Sequence, residues 1–259
     1  MTENSTTCGI YGKLPAHGDF ISRNLPSAFL NYWDEWLQGF IASSQEQLTD
    51  DWLEIYLTGP IWRFVLSRGC VDGNAWVGVM MPSVDSVGRY FPFCVVNKLQ
   101  NECNLVDIIS SQATWFEEIE DVALEALQSE FDADTLMERL QEHPFEIHPY
   151  YYQKEQSLVT ADEAATPSGN LALVMDFEEQ LPSSTNAVLL DWLMSRQYPS
   201  YSLWHSRGSD RVQPSFLVSQ GLPSLGGAAG MLQGDWKKWN WNMPFQMAAD
   251  ADEAEELVF

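Results

Sequence analysis

Basic residues are scarce in this chain. Its 259 residues include 13 lysines and arginines against 37 aspartates and glutamates, which gives a formal net charge of −24. Nucleic acids and anionic lipids are bound largely through lysine and arginine, so this balance argues against both kinds of partner. An acidic excess also keeps a protein soluble, so solubility and docking onto a basic protein face are both open interpretations.

Paired cysteines and long apolar runs are missing as well. The four cysteines are scattered without a C-x-x-C pair, whereas zinc sites and disulfide frameworks normally show paired spacing. No apolar run approaches the roughly 20 residues that a membrane-spanning helix needs. The N-terminus also lacks the basic and apolar regions of a secretory signal. We therefore expect a cytoplasmic protein with reduced thiols and no direct insertion into a membrane.

Short apolar runs predict the strands of one sheet. They are residues 7–12, 61–67, 75–81, 90–99 and 171–176, with two more around 201–206 and 215–221. The run at 75–81 is almost unbroken, so we expect it in mid-sheet with both of its faces covered. Pro92 lacks a backbone N–H and therefore predicts an edge position or a bulge for the strand at 90–99.

Apolar residues at three- and four-residue spacing predict helices between these strands. The segments are residues 26–41, 105–127 and 184–196. Each helix is apolar on one side, so we expect helices on both faces of the sheet. Residues 102–146 contain thirteen acids and only Arg139 as a base. We interpret this stretch as a solvated helical face, with an acidic docking surface as the alternative.

Two loops carry most of the polar side chains that could act chemically. The first is GIYGKLPAHGDF at 9–20 and the second is PSVDSVGR at 82–89. The candidate residues in and next to these loops are Lys13, His17, Asp19, Arg23, Ser83, Asp85 and Arg89. A phosphate-binding loop needs G-x-x-x-x-G-K-[ST], but Leu14 follows Lys13 and the two glycines before it are too close. We therefore reject that mechanism of nucleotide binding.

The same residue types also allow a catalytic interpretation. Ser83, Asp85 and His17 could form a triad, but no G-x-S-x-G pattern surrounds the serine. The four histidines show no metal-ligand spacing. We therefore assign no catalytic, cofactor-binding or metal-binding residue. An enzyme or nucleotide-responsive switch that uses these loops is kept as the alternative function.

A structural role explains the first loop more simply. Gly18 can supply a positive φ at the corner. Asp19 can cap the amides of a following helical turn, or pair with Arg23 four residues later. Since basic residues are scarce, Lys13 and Arg23 beside turn carboxylates look like contacts that pin the chain.

The second loop has matching features. Ser83 and Asp85 can accept hydrogen bonds from turn amides, and Gly88 can adopt a left-handed conformation. Arg89 can form an ion pair with Asp85 or Asp19. The first and third strands could bring both loops to one edge of the sheet, where they would pin each other or bind a partner.

Several motifs of this chain match those of a known family. They are G-x-Y-G-K-L-P-x-x-G-D-F at 9–20, R-x-L-P at 23–26, W-D-x-W-L at 33–37, PIWRF at 60–64, WVGV at 76–79 and PSVDSVGR at 82–89, followed by Phe91-Pro92. Looser matches are SLW at 202–204 and GLP at 221–223. In these motifs the chain resembles the TagF family, also called ImpM, of type VI secretion accessory proteins. The resemblance is specific in the first hundred residues and weak over 105–200.

The resemblance implies both a fold and a function. The implied fold is an α/β (α+β) domain, a single three-layer αβα sandwich around a mixed, largely antiparallel sheet, distantly similar to longin and profilin folds. We expect it to span 1–245, followed by an acidic, disordered tail at 246–259. The implied function is a cytoplasmic, non-enzymatic repressor that acts after translation on assembly or firing of the secretion apparatus.

The resemblance also implies partners. Family members are thought to act through a forkhead-associated scaffold protein of the secretion system, and some are fused to a PppA-type phosphatase. The present sequence shows no phosphatase segment, so we expect any such phosphatase to be a separate protein. A passive structural subunit of the apparatus is a further alternative.

Overall fold

The computed structural model describes residues 8–99, 103–128, 132–146, 184–244 and 247. The strands are β1 (Gly9–Gly12), β2 (Ile21–Arg23), β3 (Trp62–Leu66), β4 (Ala75–Met81), β5 (Phe93–Leu99), β6 (Tyr201–Ser206) and β7 (Ser215–Gln220). The α-helices are α1 (Ser27–Leu48), α2 (Trp52–Leu57), α3 (Leu105–Ser111), α4 (Ala113–Gln128), α5 (Ala133–Gln141), α6 (Ser184–Gln197) and α7 (Ala228–Gln233). The predicted strand at 171–176 and, apart from Met247, the predicted tail at 246–259 lie outside the described residues.

The described strands form one seven-stranded sheet in the order β2-β1-β5-β4-β3-β6-β7, and every pair in it is antiparallel. The predicted sandwich is confirmed, and all residues of the mid-sheet strand β4 are buried. Because β1 and β4 both pair antiparallel with β5, they run in the same direction. The loops that follow β1 and β4 therefore leave the sheet at the same end.

Two predictions from the sequence are wrong in detail. The strand after Pro92 is β5, which lies inside the sheet and pairs with β4 in continuous register, with neither an edge position nor a bulge. Pro92 precedes the first paired residue, so its missing N–H removes no ladder hydrogen bond. The predicted helix at 105–127 is two helices, α3 and α4. Ser110 Oγ donates to the carbonyl oxygens of Val106 (2.8 Å) and Asp107 (3.0 Å), and such local bonds compete with continuation of a helix.

One face of the sheet is covered by α1, α2 and α7 and is rich in aromatic rings. The buried aromatic residues of this layer are Tyr11, Phe29, Trp33, Trp36, Phe40, Trp52, Tyr56, Trp62, Phe64, Trp76, Phe91 and Trp204. The Trp33 ring lies 5.5 Å from that of Phe29 and 5.0 Å from that of Phe64, measured between centroids. The predicted aromatic inner face of the first helix therefore packs directly on the sheet, and each of these large rings buries extensive apolar surface.

The opposite face is covered by α3, α4 and α5, and its core is mainly aliphatic. This layer also contains a buried, bidentate ion pair between β3 and α4. Arg63 Nε lies 2.6 Å from Glu120 Oε1, and Arg63 Nη2 lies 2.8 Å from Glu120 Oε2. The Arg63 guanidinium also lies 5.3 Å from the centre of the Phe116 ring. Charge and packing together hold α4 on the sheet.

Across the described ranges, no helix combines the length and the apolar character needed to cross a bilayer.

Candidate functional site

The loops after β1 and β4 contact each other, and we call residues 13–20 and 82–89 the joined loops. Ser83 Oγ donates to the Lys13 carbonyl oxygen at 2.6 Å, although 70 positions separate the two residues. The Ser86 N–H donates to the His17 carbonyl oxygen at 2.9 Å, and Arg89 Nη2 donates to that of Gly18. The same-direction course of β1 and β4 thus produces one continuous surface from two distant segments.

The Asp85 carboxylate is the centre of this arrangement, and its side chain is fully buried. Its Oδ2 atom lies 3.0 Å from Lys13 Nζ and accepts from Arg89 Nε at 2.7 Å. Its Oδ1 atom accepts from the backbone N–H groups of Val87 (3.1 Å) and Arg89 (2.8 Å). Two cations and two amides therefore surround one carboxylate and fix the turn of the second loop.

These contacts determine the charge state of Asp85. Burial alone would raise the pKa of this carboxyl group. The Arg89 amide, the Lys13 ammonium, the Arg89 guanidinium and the Val87 amide act in the opposite direction and hold the pKa well below the ordinary value of 3.8. Asp85 is therefore ionised at neutral pH. A general base works best with a pKa near the operating pH, so this carboxylate is suited to holding the loops rather than to moving protons.

Lys13 and Ser83 are buried along with Asp85. The Lys13 ammonium lies 4.8 Å from the centre of the Phe20 ring, in addition to its ion pair. The Ser83 backbone is fixed by Tyr56, whose hydroxyl donates to the Ser83 carbonyl oxygen (3.1 Å) and accepts from the Ser83 N–H (3.0 Å). Since these side chains are hidden, they hold the loops and do not themselves present a surface to a partner.

His17 links the joined loops to the start of α5. Its Nε2 atom accepts a hydrogen bond from the N–H of Ala133, the first residue of α5, at 3.1 Å. This assigns the neutral tautomer with the proton on Nδ1, and it satisfies one of the free amides at the start of the helix. The backbone of the first loop is therefore held from the side of α5 as well as by the second loop.

Asp19 and Arg23 differ from the sequence-based expectation. Arg23 Nε lies 3.3 Å from Asp134 Oδ1 on α5, so the expected pair with Asp19 is not formed. Asp19 accepts from the N–H of Phe20 at 2.8 Å and lies 4.0 Å from Arg89 Nη2. No helical turn follows Asp19, because β2 begins two residues later.

The glycines of the loops fulfil one expectation and contradict another. Gly88 has the expected left-handed conformation, with φ +84°. Gly18 does not have a positive φ; the strained position is Gly12, with φ +130°. A Cβ atom at Gly12 would lie 2.0 Å from the Pro92 carbonyl oxygen. Gly12 therefore permits the close approach of β1 to the start of β5, and the positive φ predicted for Gly18 occurs instead at the end of β1.

Several residues of the joined loops are exposed to solvent. We call four of them, Asp19, Phe20, Val87 and Arg89, the joined-loop surface. Phe20 is 43% exposed and Val87 is 67% exposed. The Phe20 ring is nevertheless held edge-on against Phe91, with 4.8 Å between centroids. Sequence reasoning missed Phe20 and Val87 because it followed polar side chains. Their apolar character next to polar turn residues was the available signal.

In the part of the chain that the structure describes, no group of three or more His, Cys, Asp or Glu side chains could hold a metal ion.

Comparisons with known proteins place these observations in a family. A family model for the TagF N-terminal domain, described as type VI secretion system-associated, matches residues 9–143. The crystal structure of PA0076 from Pseudomonas aeruginosa PAO1 is similar to this chain, with a TM-score of 0.74 and 30% sequence identity. That similarity covers 94% of this chain and 100% of the other. No curated protein sequence matches the chain. The family match spans more than half of the sequence and includes both joined loops.

Proposed function

Because this chain belongs to the TagF family of type VI secretion system-associated proteins, we propose that it is a non-enzymatic repressor of the secretion apparatus. It acts after translation, in the cytoplasm, by binding a forkhead-associated scaffold protein of the same system. The contact is made by the joined-loop surface. The observation that carries this proposal is an exposed aromatic, aliphatic and arginine patch fixed over a buried cluster of charges.

The composition of the patch favours protein binding. Aromatic and arginine side chains are enriched among the residues that contribute most to protein–protein affinity. Here Phe20 provides the ring and Arg89 the guanidinium, and Arg89 is about half exposed although its Nε is bound to Asp85. Val87 adds apolar area at the tip of the second loop.

The rigidity of the patch supports the same conclusion. Asp85 fixes Arg89, while Phe91 and the Lys13 ammonium hold the ring of Phe20. Side chains that are ordered before binding lose less conformational entropy when a partner arrives. The net charge of −24 further favours a partner with a basic face, and binding of that kind weakens as salt rises.

A binding experiment with purified scaffold protein tests the contact. The double variant Val87→Ala/Arg89→Ala should bind at least about tenfold more weakly in isothermal titration, which corresponds to the loss of one strong contact residue. Folding should be largely retained, because Lys13 still neutralises Asp85. Leu57→Ala is the matched control, since Leu57 is an exposed apolar residue on α2 and should leave affinity unchanged.

If the wild-type chain binds the scaffold and the double variant binds it with the same affinity, the joined loops are not the contact. A wild-type chain that does not bind the scaffold would contradict the proposed partner. Deletion of the gene should increase secretion, whereas a passive structural subunit predicts that deletion abolishes it. A saturable rise of Tm with a nucleotide, a divalent metal or a phospho-compound would contradict the non-enzymatic assignment.

A further inference from the structure

We infer that the outer edge of β7 is a docking site for an extended segment of a partner polypeptide, which adds to the sheet as an eighth strand. β7 is the last strand on its side of the sheet, and no strand of the described ranges pairs with its outer edge. An edge strand presents backbone N–H and C=O groups that a further strand can use. This site lies at the opposite edge of the sheet from β2 and β1 and is independent of the joined loops.

The two edges of the sheet are protected to different degrees. β2, at the other edge, has three residues and ends in Arg23, which contacts Asp134. β7 has six residues, SFLVSQ, with no charge and no proline. Natural sheets usually protect an edge with short strands, charged side chains, prolines or bulges. The β7 edge has none of these features.

The side chains of β7 are arranged to receive a strand. Phe216 and Val218 are 51% and 44% exposed. They are paired in register with His205 and Leu203 of β6, and therefore project from the sheet face that α3 covers further inward. Leu217 projects from the opposite face and is buried in the aromatic layer. An incoming strand would place its own alternate apolar side chains beside Phe216 and Val218.

Charge selects the kind of partner. Residues 196–244 contain two acids, Asp210 and Asp235, against five bases, Arg196, Arg207, Arg211, Lys237 and Lys238. This contrasts with the acidic excess of the whole chain. Arg207 and Arg211 lie in the connection between β6 and β7, and both are exposed to solvent although each contacts a glutamate. A strand with apolar residues at alternate positions and an acidic residue at the end that lies beside this connection fits this edge. A second copy, with its own net charge of −24, is repelled as a whole.

Synthetic peptides provide the test. The probe is a labelled, end-capped peptide, EVTVTVTE, with KVTVTVTK and a form of the first peptide N-methylated at alternate residues as comparisons. Fluorescence anisotropy should show saturable binding of the acidic peptide to the full chain. Binding of the lysine peptide should be at least fivefold weaker, and the N-methylated peptide should not bind, because it lacks the amides needed for pairing.

Variants of the chain locate the contact. Phe216→Thr/Val218→Thr keeps residues that favour strands but removes the apolar contacts, and should weaken binding of the acidic peptide at least fivefold. Leu57→Ala is the control, because Leu57 is 50% exposed, as Phe216 is, but lies on a helix. Near-ultraviolet circular dichroism of each variant must match the wild type before affinities are compared.

Three results would overturn the inference. The acidic peptide fails to bind, or it binds equally well after N-methylation, or the Thr double variant binds it as the wild type does. Sedimentation that shows a wild-type dimer abolished by the same double variant would also overturn it, since the edge would then belong to a second copy.

Discussion

Two buried charge clusters have different positions and geometries: one lies in the loops at an end of the sheet, and the other lies between a face of the sheet and α4. In the joined loops, the Asp85 carboxylate forms ion pairs with two cations and accepts hydrogen bonds from two backbone amides. Between β3 and α4, the Glu120 carboxylate forms a bidentate ion pair with a single guanidinium, that of Arg63. The first cluster joins loop to loop and reaches solvent through Arg89, whereas the second joins helix to strand inside the aliphatic layer.

The comparison shows how a buried charge can serve conformation in two ways. Asp85 accepts hydrogen bonds from the Val87 and Arg89 backbone amides, which the tight turn would otherwise leave without acceptors. Its charge therefore determines the shape of the exposed surface above it. Glu120 balances a charge beneath a helix that apolar packing also holds. Loss of Asp85 should therefore disturb both folding and binding, and loss of Glu120 should disturb folding alone.

The largest effect is expected for Asp85→Ala. It leaves the Lys13 ammonium buried without its partner and two loop amides without an acceptor, so the free energy of unfolding should fall by about 4 to 5 kcal/mol. Urea denaturation measures this change. Asp19→Ala, in the neighbouring loop with an exposed side chain, should change it by less than about 0.5 kcal/mol. If the two variants were equally stable, Asp85 would not be the element that fixes the loops.

A smaller loss, about 3 kcal/mol, is expected for Glu120→Ala, because Arg63 keeps its contact with Phe116. Glu117→Ala on the same helix removes only an exposed pair with Arg207 and should be nearly neutral. The double variant Arg63→Met/Glu120→Leu should recover most of the loss, since apolar residues can replace a buried pair.

The corresponding double variant Lys13→Met/Asp85→Leu should not recover stability, because the Val87 and Arg89 amides still lack an acceptor. Full recovery in both double variants, measured by the same urea titration, would remove the distinction between the clusters.

The smallest effects concern pH. Burial, followed by the nearby charge of Arg63, lowers the pKa of His205 below its ordinary value of 6.5. The unfolded chain therefore binds a proton here before the folded chain does, so stability falls as pH decreases through 6.5. For Asp85 the folded pKa is lowered, so its stabilisation is present above about pH 4 and is lost only at lower pH.

Stability curves of the wild type and His205→Asn from pH 8 to pH 4 check the first statement. The wild type should lose more stability than the variant between pH 7 and pH 5. An Asp85→Asn curve should converge on the wild type only below about pH 4. Convergence near pH 6 would mean that Asp85 titrates in a weaker environment than its contacts indicate.

The sequence predicted the layers well because their signals are local. Period-3.6 aromatic residues of α1 and the apolar run of β4 report burial directly, and the structure buries both as expected. The proximity of the two loops was a hypothesis that depended on strand direction. The structure confirms it because β1 and β4, which precede the two loops, run in the same direction, and that direction was not available from the sequence.

Pairing between distant charges was not predictable in the same way. Nothing near Arg23 distinguishes Asp19 from Asp134 as its partner, and only the placement of α5 beside β2 decides between them. The Arg63–Glu120 pair joins residues 57 positions apart and was absent from the sequence interpretation. Apolar periodicity assigns a residue to a face but does not indicate which residue from another element will lie opposite it.

The aromatic layer gives this chain an optical asymmetry. Six tryptophans, Trp33, Trp36, Trp52, Trp62, Trp76 and Trp204, are buried on the α1 side, whereas the buried core on the other side contributes Trp115. Trp33 and Trp204 are stacked at 6.3 Å, a separation at which excited states couple. Most of the buried indoles that can report on unfolding by fluorescence therefore lie in a single layer. A fluorimeter would follow detachment of α1 closely while registering little of a detachment of α4.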